Sequence, residues 1–137
     1  MPISFKIDRA NNFTTFTFQG EVTLSEMIEA MNSYGKRGVT LHELYDVRQI
    51  EGERFSNEDI DVVVLYFRQY GKIRPEDGKT AVLVTEAIDY GISRMIQTLT
   101  EGEVSFRVGI FHSMEDALAW LELEPSQETQ PSVDNTN

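Results

Sequence analysis

The first twenty residues alternate between apolar and polar side chains in two short stretches. Residues 3–8 (ISFKID) place their apolar side chains on one side of an extended chain. Residues 13–19 (FTTFTFQ) are rich in Phe and Thr, which strands favour. Asn11 and Asn12 between them tolerate the left-handed backbone of a tight turn. The pattern predicts a β-hairpin.

Three later segments carry the start signal of a helix, in which a Ser or Thr cap is followed three residues later by an acid. These pairs are Thr23 with Glu26, Ser56 with Asp59, and Ser113 with Asp116. The first of these helices is predicted to end at Gly35. Residues 60–67 (IDVVVLYF) have the composition of a strand, but the cap at Ser56 favours a helix.

Residues 79–123 form a strand–helix–strand–helix unit. Residues 81–84 (AVLV) and 104–111 (VSFRVGIF) are the predicted strands, and Gly102 is the predicted stop of the helix between them. Apolar residues recur in that helix at helical spacing and predict its buried face: Ile88, Ile92, Met95, Ile96 and Leu99. Such a unit needs parallel strands with a crossover helix.

With a further strand at residues 41–50, the element order is ββαβαβαβα. This order predicts an α/β fold with a single mixed five-stranded sheet, formed by a hairpin and three right-handed crossovers, with helices packed on it. Residues 1–122 are expected to be one domain. Residues 123–137 are polar, contain two prolines and lack periodicity, so we expect a disordered acidic tail.

Composition excludes several classes of function. The net charge is −11 and the twelve basic residues are scattered among acids, so we expect neither nucleic acid nor an anionic membrane surface as a partner. The chain has no cysteine, which excludes disulfides and thiolate chemistry. No signal peptide precedes the hairpin and no apolar stretch approaches the roughly 18 residues of a membrane span. We therefore expect a cytoplasmic protein.

Three stretches resemble the STAS domain superfamily, and its SpoIIAA-like branch most closely. They are FKIDRANNFTTFTFQGEVT, LYDVRQIEG, and the ending AVLVTE to VSFRVGIFHSMEDALAWL. The resemblance implies the predicted fold, which is also related to that of CRAL-TRIO lipid-binding domains, and a non-enzymatic role in protein interaction.

In anti-sigma-factor antagonists, a serine that begins the second helix is phosphorylated within an Asp-Ser-Ser-Gly-like sequence. The matching position here is Ser56, so the resemblance implies a phosphoacceptor there. The surrounding sequence, FSNED, lacks the preceding Asp, the second Ser and the Gly of that motif. The alternative is that Ser56 only caps the helix, which is worth about 1 kcal/mol.

The second helix is apolar around most of its circumference. Four residues lie off the face that we expect to be buried: Val62, Leu65, Tyr66 and Tyr70. They predict a surface for a protein partner or a second copy of the chain, or the wall of an apolar ligand pocket. The alternative is that the sheet and a neighbouring helix bury both sides.

Polar residues are expected where the parallel strands end, which is where open α/β sheets bind ligands. The candidates for contact with an anion or another ligand are Arg48, Asp89, Tyr90, Ser93 and Arg94. The alternative is an ion pair, either Arg48 with Asp89 or Arg94 with Glu86. No motif for a metal, a cofactor or catalysis is found, and the two histidines are seventy positions apart.

Two functions remain. The first is a non-enzymatic, STAS-like protein-interaction module, which would bind another protein or form a homodimer and could be regulatory. The second is a domain that binds a small molecule or lipid in an apolar pocket near the second and third helices.

Overall fold

The structure, a computed structural model, describes residues 2–123. Its elements follow the predicted order. The strands are β1 (Ile3–Asp8), β2 (Phe13–Gly20), β3 (His42–Ile50), β4 (Lys79–Leu83) and β5 (Arg107–Phe111). The helices are α1 (Leu24–Arg37), α2 (Asn57–Tyr70), α3 (Ala87–Thr100) and α4 (Met114–Trp120).

All five strands form one sheet in the order β1-β2-β3-β4-β5. The hairpin pair β1–β2 is antiparallel, and the other three pairs are parallel. Because each right-handed crossover connects neighbouring strands in the same direction, the three crossover helices lie on one face of the sheet. The predicted α/β fold with a single mixed five-stranded sheet is confirmed.

Each face of the sheet has its own core. On the face that carries α1, α2 and α3, aromatic rings make edge-to-face contacts along the sheet, including Phe16 with Tyr34 and Tyr45 with Phe67. The other face is covered by α4, whose Leu118 packs in a smaller cluster with Leu44 and other apolar residues. The face with three helices therefore holds most of the buried apolar surface.

The helix starts are as predicted, but the end of α1 is not. Thr23 and Ser56 both form complete capping boxes with the acid three residues later. The helix α1 continues through Gly35 to Arg37 and ends at Gly38, whose φ is +94°. Gly35 serves packing instead, because a Cβ atom there would lie 2.9 Å from the Tyr70 hydroxyl.

The predicted buried face of α3 is wrong. Ile88, Met95 and Leu99 are exposed at 55%, 40% and 39%, respectively. Asp89, Ser93 and Thr100 are buried instead, and Ile92 and Ile96 are half-buried. The sheet order explains this, since α3 is the last helix on its face and has α2 as a neighbour on one side only.

The described part of the chain ends just past α4. Leu123 is half-buried against the core of that face, and its amide donates to the carbonyl of Leu118. The rest of the predicted acidic tail, residues 124–137, lies outside the described residues. No helix among residues 2–123 is both long enough and apolar enough to cross a membrane.

Candidate functional site

An apolar cavity lies between the sheet and the helices α2 and α3. Its volume is about 90 Å³. Thirteen apolar or aromatic side chains line it: Phe18, Val22, Met27, Tyr45, Val47, Ile50, Phe55, Val63, Phe67, Val82, Ile92, Ile96 and Val108. The wall comes from all three helices of this face and from four strands, so the cavity is built into the core of the larger layer.

The polar groups of this cavity are four side chains: Glu53, Arg54, Asp89 and Ser93. Arg54 forms a bidentate pair with Asp89, in which Nε and Nη2 lie 2.9 and 3.0 Å from the two carboxylate oxygens. The side chain of Asp89 is 5% exposed and that of Arg54 14%. The hydrogen bonds that Arg54 donates to the Asp89 carboxylate raise the pKa of Arg54 above its ordinary value, so the guanidinium stays charged.

Three of these polar groups, Arg54, Asp89 and Ser93, are already bonded within the chain. Arg54 also donates to the carbonyl oxygens of Ile50 and Gly52, at 3.2 and 2.7 Å. The hydroxyl of Ser93 donates to the carbonyl of Asp89, one turn earlier in α3, at 2.8 Å. The ion pair therefore ties the β3–α2 loop to α3 beside the cavity.

The five residues predicted to contact an anion do not surround one pocket. Asp89 and Ser93 line the cavity. Tyr90 is exposed and stacks on His112, with ring centroids 5.6 Å apart. Arg48 lies in an open polar groove beyond the sheet edge, and the guanidinium of Arg94 donates to the Gln97 side chain.

The predicted ion pairs are corrected by the structure. Asp89 is paired with Arg54, whereas Arg48 forms its own bidentate pair with Asp46 at 3.0 and 2.9 Å. Arg94 meets Gln97 rather than Glu86. Anion binding by Arg48 and Arg94 stays a prediction, and both guanidinium groups already donate to acceptors of this chain.

Arg54 was not among the residues that the sequence singled out for a site, and it lies in the polar loop between β3 and α2. The available signal was its position, because residues just after β3 lie at the same sheet edge as the start of α3. The cavity itself was expected near α2 and α3, and it lies there. Only Asp89 and Ser93 among its lining residues were proposed for ligand contact.

The second apolar feature is an exposed strip that we call the outer face, formed by Ile88, Met95 and Leu99 of α3 and Leu65 of α2. Leu65 is 51% exposed. One turn after it, Arg68 donates to the carbonyl of Leu99, which places this side of α2 against α3.

The other three α2 residues predicted for an interface are half-buried. Tyr66 lines a crevice between α1 and α2, and the hydroxyl of Tyr70 donates to the carbonyl of Met31 in α1. Val62 is likewise partly covered. Packing of α2 between α1 and α3 therefore uses much of the apolar surface that the sequence assigned to a partner.

Ser56 is exposed and caps α2. Its hydroxyl accepts a hydrogen bond from the amide of Asp59 at 3.1 Å. Glu58 and Asp59 occupy the same first turn. Phosphorylation of Ser56 stays a prediction, and the negative charges nearby would oppose docking of the phosphate onto this helix end.

A buried polar cluster lies at the other end of the parallel strands, where β3 and β4 begin. Glu43 and Arg74 are paired at 3.3 Å with side chains 4% and 1% exposed, and Thr80 bonds to both. Burial raises the pKa of the neighbouring Tyr34 to about 12. Its enclosure makes this cluster structural.

Among residues 2–123, no three His, Asp or Glu side chains are grouped closely enough to hold a metal ion.

Comparison with known proteins gives a fold. No family model matches the sequence, and no curated protein matches it significantly. The structure is similar to the crystal structure of an uncharacterized protein of the DUF3478 family, which has a SpoIIAA-like fold, from Shewanella loihica PV-4. The two chains are 18% identical with a TM-score of 0.57, and the alignment covers 87% of this chain and 93% of that one. The chain therefore has a SpoIIAA-like fold, as its sequence predicted.

Proposed function

We propose that this chain is a non-enzymatic, STAS-like protein-interaction module that docks a partner protein on the outer face. The observation that carries the proposal is the exposure of Ile88, Met95 and Leu99 along one side of α3. Contiguous apolar residues on a surface helix mark interaction sites more often than isolated ones do. The SpoIIAA-like fold fits a STAS-like module, and the exposed strip is what points to docking, because a fold alone does not specify a function.

The proposed partner is a different protein, with an apolar strip and basic residues beside it. The net charge of −11 supports this choice. Two copies of the chain would each carry a net charge of −11 and would repel each other, whereas a partner with basic residues would be attracted. A homodimer is the alternative outcome of the test.

The ion pair between Arg54 and Asp89 beside the cavity supports the non-enzymatic part of the proposal. Asp89 is held by Arg54 through two hydrogen bonds. Both oxygens of this carboxylate accept hydrogen bonds from Arg54, so the carboxylate is already engaged and is not free to act as a general base on a bound molecule. The cytoplasmic location expected from the sequence stays a prediction.

The test is a charge placed on the outer face. Met95→Lys should weaken capture of the partner by about tenfold, since a lysine cannot be buried against an apolar strip without losing its hydration. Met95 is 40% exposed, so the substitution should leave the fold intact. The measurement is quantitative pull-down from the source lysate with a defined amount of purified chain, followed by reconstitution with the purified partner.

Ile73→Lys is the matched control. Ile73 is 59% exposed and lies in the α2–β4 connection, away from the outer face. A partner retained by Ile73→Lys and lost by Met95→Lys supports the proposal. Equal capture by all three chains contradicts it. A dimer of the wild type, detected by light scattering and lost in Met95→Lys, would replace the heterologous partner with a second copy.

We propose a second candidate function, binding of a small apolar molecule in the cavity between the sheet and α2 and α3. The specific observation in its favour is a volume of about 90 Å³ lined almost entirely by apolar side chains. Ligand sites of this kind are concave, mostly apolar, and carry a few polar groups that fix orientation. Arg54, Asp89 and Ser93 are those groups here.

A further inference from the structure

The polar groups beside the cavity decide which ligands it can accept. A guanidinium has five N–H donors. The Arg54 guanidinium donates four hydrogen bonds within the chain, two of them to the buried carboxylate of Asp89. An anionic ligand would have to displace Asp89 to reach this cation in the same bidentate way. Displacement would leave a buried carboxylate without its partner, which is costly.

The remaining charges act in the same direction. Glu53 lines the cavity beside Arg54. Glu86, the residue before α3, lies close enough to Arg54 to interact with its charge. Two carboxylates, Asp89 and Glu86, therefore act on the Arg54 guanidinium, and Glu53 adds a third to the wall of the cavity. The field at the polar end of the cavity opposes a second anion.

The volume sets the size of the ligand. An apolar cavity of about 150 Å³ accommodates benzene or xenon, and stays dry when it is empty. The cavity in this chain, at about 90 Å³, is smaller. Two residues of its wall carry a hydroxyl, Tyr45 and Ser93, and both hydroxyls already donate within the chain, to Glu43 and Asp89 respectively. The Ser93 oxygen can still accept one bond from a neutral donor.

We infer that the cavity selects neutral, largely apolar molecules smaller than benzene and rejects anions of the same size. This inference rests on the second candidate function, that the cavity binds a small molecule. It excludes fatty-acid carboxylates, which an apolar pocket beside an arginine would otherwise favour. The Arg54–Asp89 pair acts as the selectivity element, because it neutralises the cation that would attract a carboxylate.

The test compares three probes on the full chain by amide chemical shifts: xenon, propan-1-ol and propanoate. Xenon and propan-1-ol, both smaller than benzene, should shift the amides of cavity residues such as Val63, Ile96 and Val108. Propanoate has the same carbon chain as propan-1-ol and should bind at least about tenfold more weakly. This comparison needs no variant and decides the inference by itself.

Asp89→Asn extends the test. The substitution keeps the size of the side chain and removes its charge, so Arg54 becomes available to an anion. Propanoate affinity should rise by about tenfold. Xenon, which needs no polar partner, reports in the same variant whether the cavity is still formed. Asp46→Asn makes the same change in the other bidentate pair, with Arg48, which does not line the cavity, and should leave all three probes unaffected.

The outcomes separate the two levels of the proposal. Propanoate binding in the wild-type cavity as tightly as propan-1-ol overturns the selectivity and leaves ligand binding standing. Failure of both xenon and propan-1-ol to shift cavity amides overturns ligand binding itself. A rise in propanoate affinity with Asp46→Asn equal to that with Asp89→Asn would also contradict the role of the Arg54–Asp89 pair.

Discussion

Individual polar residues on α3 are buried because the helix itself satisfies them. The hydroxyls of Ser93 and Thr100 both donate to carbonyl oxygens one turn earlier in the same helix, at 2.8 Å. A Ser or Thr bonded in this way presents little unsatisfied polarity to its surroundings. These residues can therefore face an apolar core, and at Ser93 the small side chain also leaves part of the cavity empty.

Replacing Ser93 with leucine should fill the cavity and stabilise the protein. Each buried methylene contributes about 0.8 kcal/mol, and leucine also favours a helix over serine, so we expect a gain of about 1–2 kcal/mol in the free energy of unfolding. Urea denaturation measures the gain, and xenon should no longer shift the cavity amides. Ser33→Leu, on the exposed side of α1, reports the helix propensity alone. Destabilisation by Ser93→Leu would mean that the cavity cannot take the larger side chain.

Residue positions in the site were partly readable from the sequence. Asp89 and Ser93 were identified because they follow a buried strand at the start of a crossover helix. Arg54, which pairs with Asp89, was not identified, because the direction taken by its long side chain depends on the path of the β3–α2 loop. The sequence offered Arg48 as the partner of Asp89, and a carboxylate two residues away, Asp46, takes Arg48 instead.

At the scale of elements, α3 shows where a periodic pattern misleads. Its apolar stripe is genuine, but periodicity identifies only which residues share a face and not which face meets the sheet. The strand order decides that, because α3 is the last helix of its layer and packs against α2 on one side. By contrast, the strand-like composition of α2 did not mislead, since its capping box at Ser56 marked the helix start.

The connection between α2 and β4 is held to the sheet by one arginine. Arg74 pairs with Glu43 of β3, donates to Thr80 of β4, and lies over the ring of Phe106 with the guanidinium carbon 4.1 Å from the ring centroid. It also donates to the carbonyl of Leu41 at 2.9 Å. This side chain therefore joins elements that are distant in sequence.

Arg74→Met should destabilise the protein by about 3–5 kcal/mol, because the buried Glu43 carboxylate would lose its counter-charge. Chemical denaturation at neutral pH measures the loss. The double variant Glu43→Gln, Arg74→Met should recover a large part of it, since it leaves no buried charge. Arg48→Met, which removes an exposed ion pair, should cost less than about 1 kcal/mol. The coupling would be contradicted if the double variant lost as much stability as the single variants Glu43→Gln and Arg74→Met lose when their losses are added.

For the whole molecule, the sequence predicted the fold more fully than the site. Element order, the hairpin and the parallel strands follow from local patterns and from the handedness of crossovers. The distribution of helices between the two faces needs the strand order, which local patterns do not contain. That distribution creates both candidate functional features, the cavity between the sheet and α2 and α3 and the outer face at the edge of that layer.

The charge of the whole molecule leads to a last prediction. The excess acidic side chains, which give a net charge of −11, repel one another in the compact state, and salt screens this repulsion. The screening length falls from about 30 Å at 0.01 M to about 8 Å at 0.15 M ionic strength. We expect the melting temperature to rise by roughly 4 °C over this range, which corresponds to about 1 kcal/mol for a domain of this size. A variant that ends at Leu123 lacks Glu124, Glu128 and Asp134, three of the eleven excess charges, and should show a smaller rise. A melting temperature that falls with salt would mean that local ion pairs such as Arg54–Asp89 outweigh the net charge. An equal rise in both chains would mean that Glu124, Glu128 and Asp134 do not contribute to the repulsion.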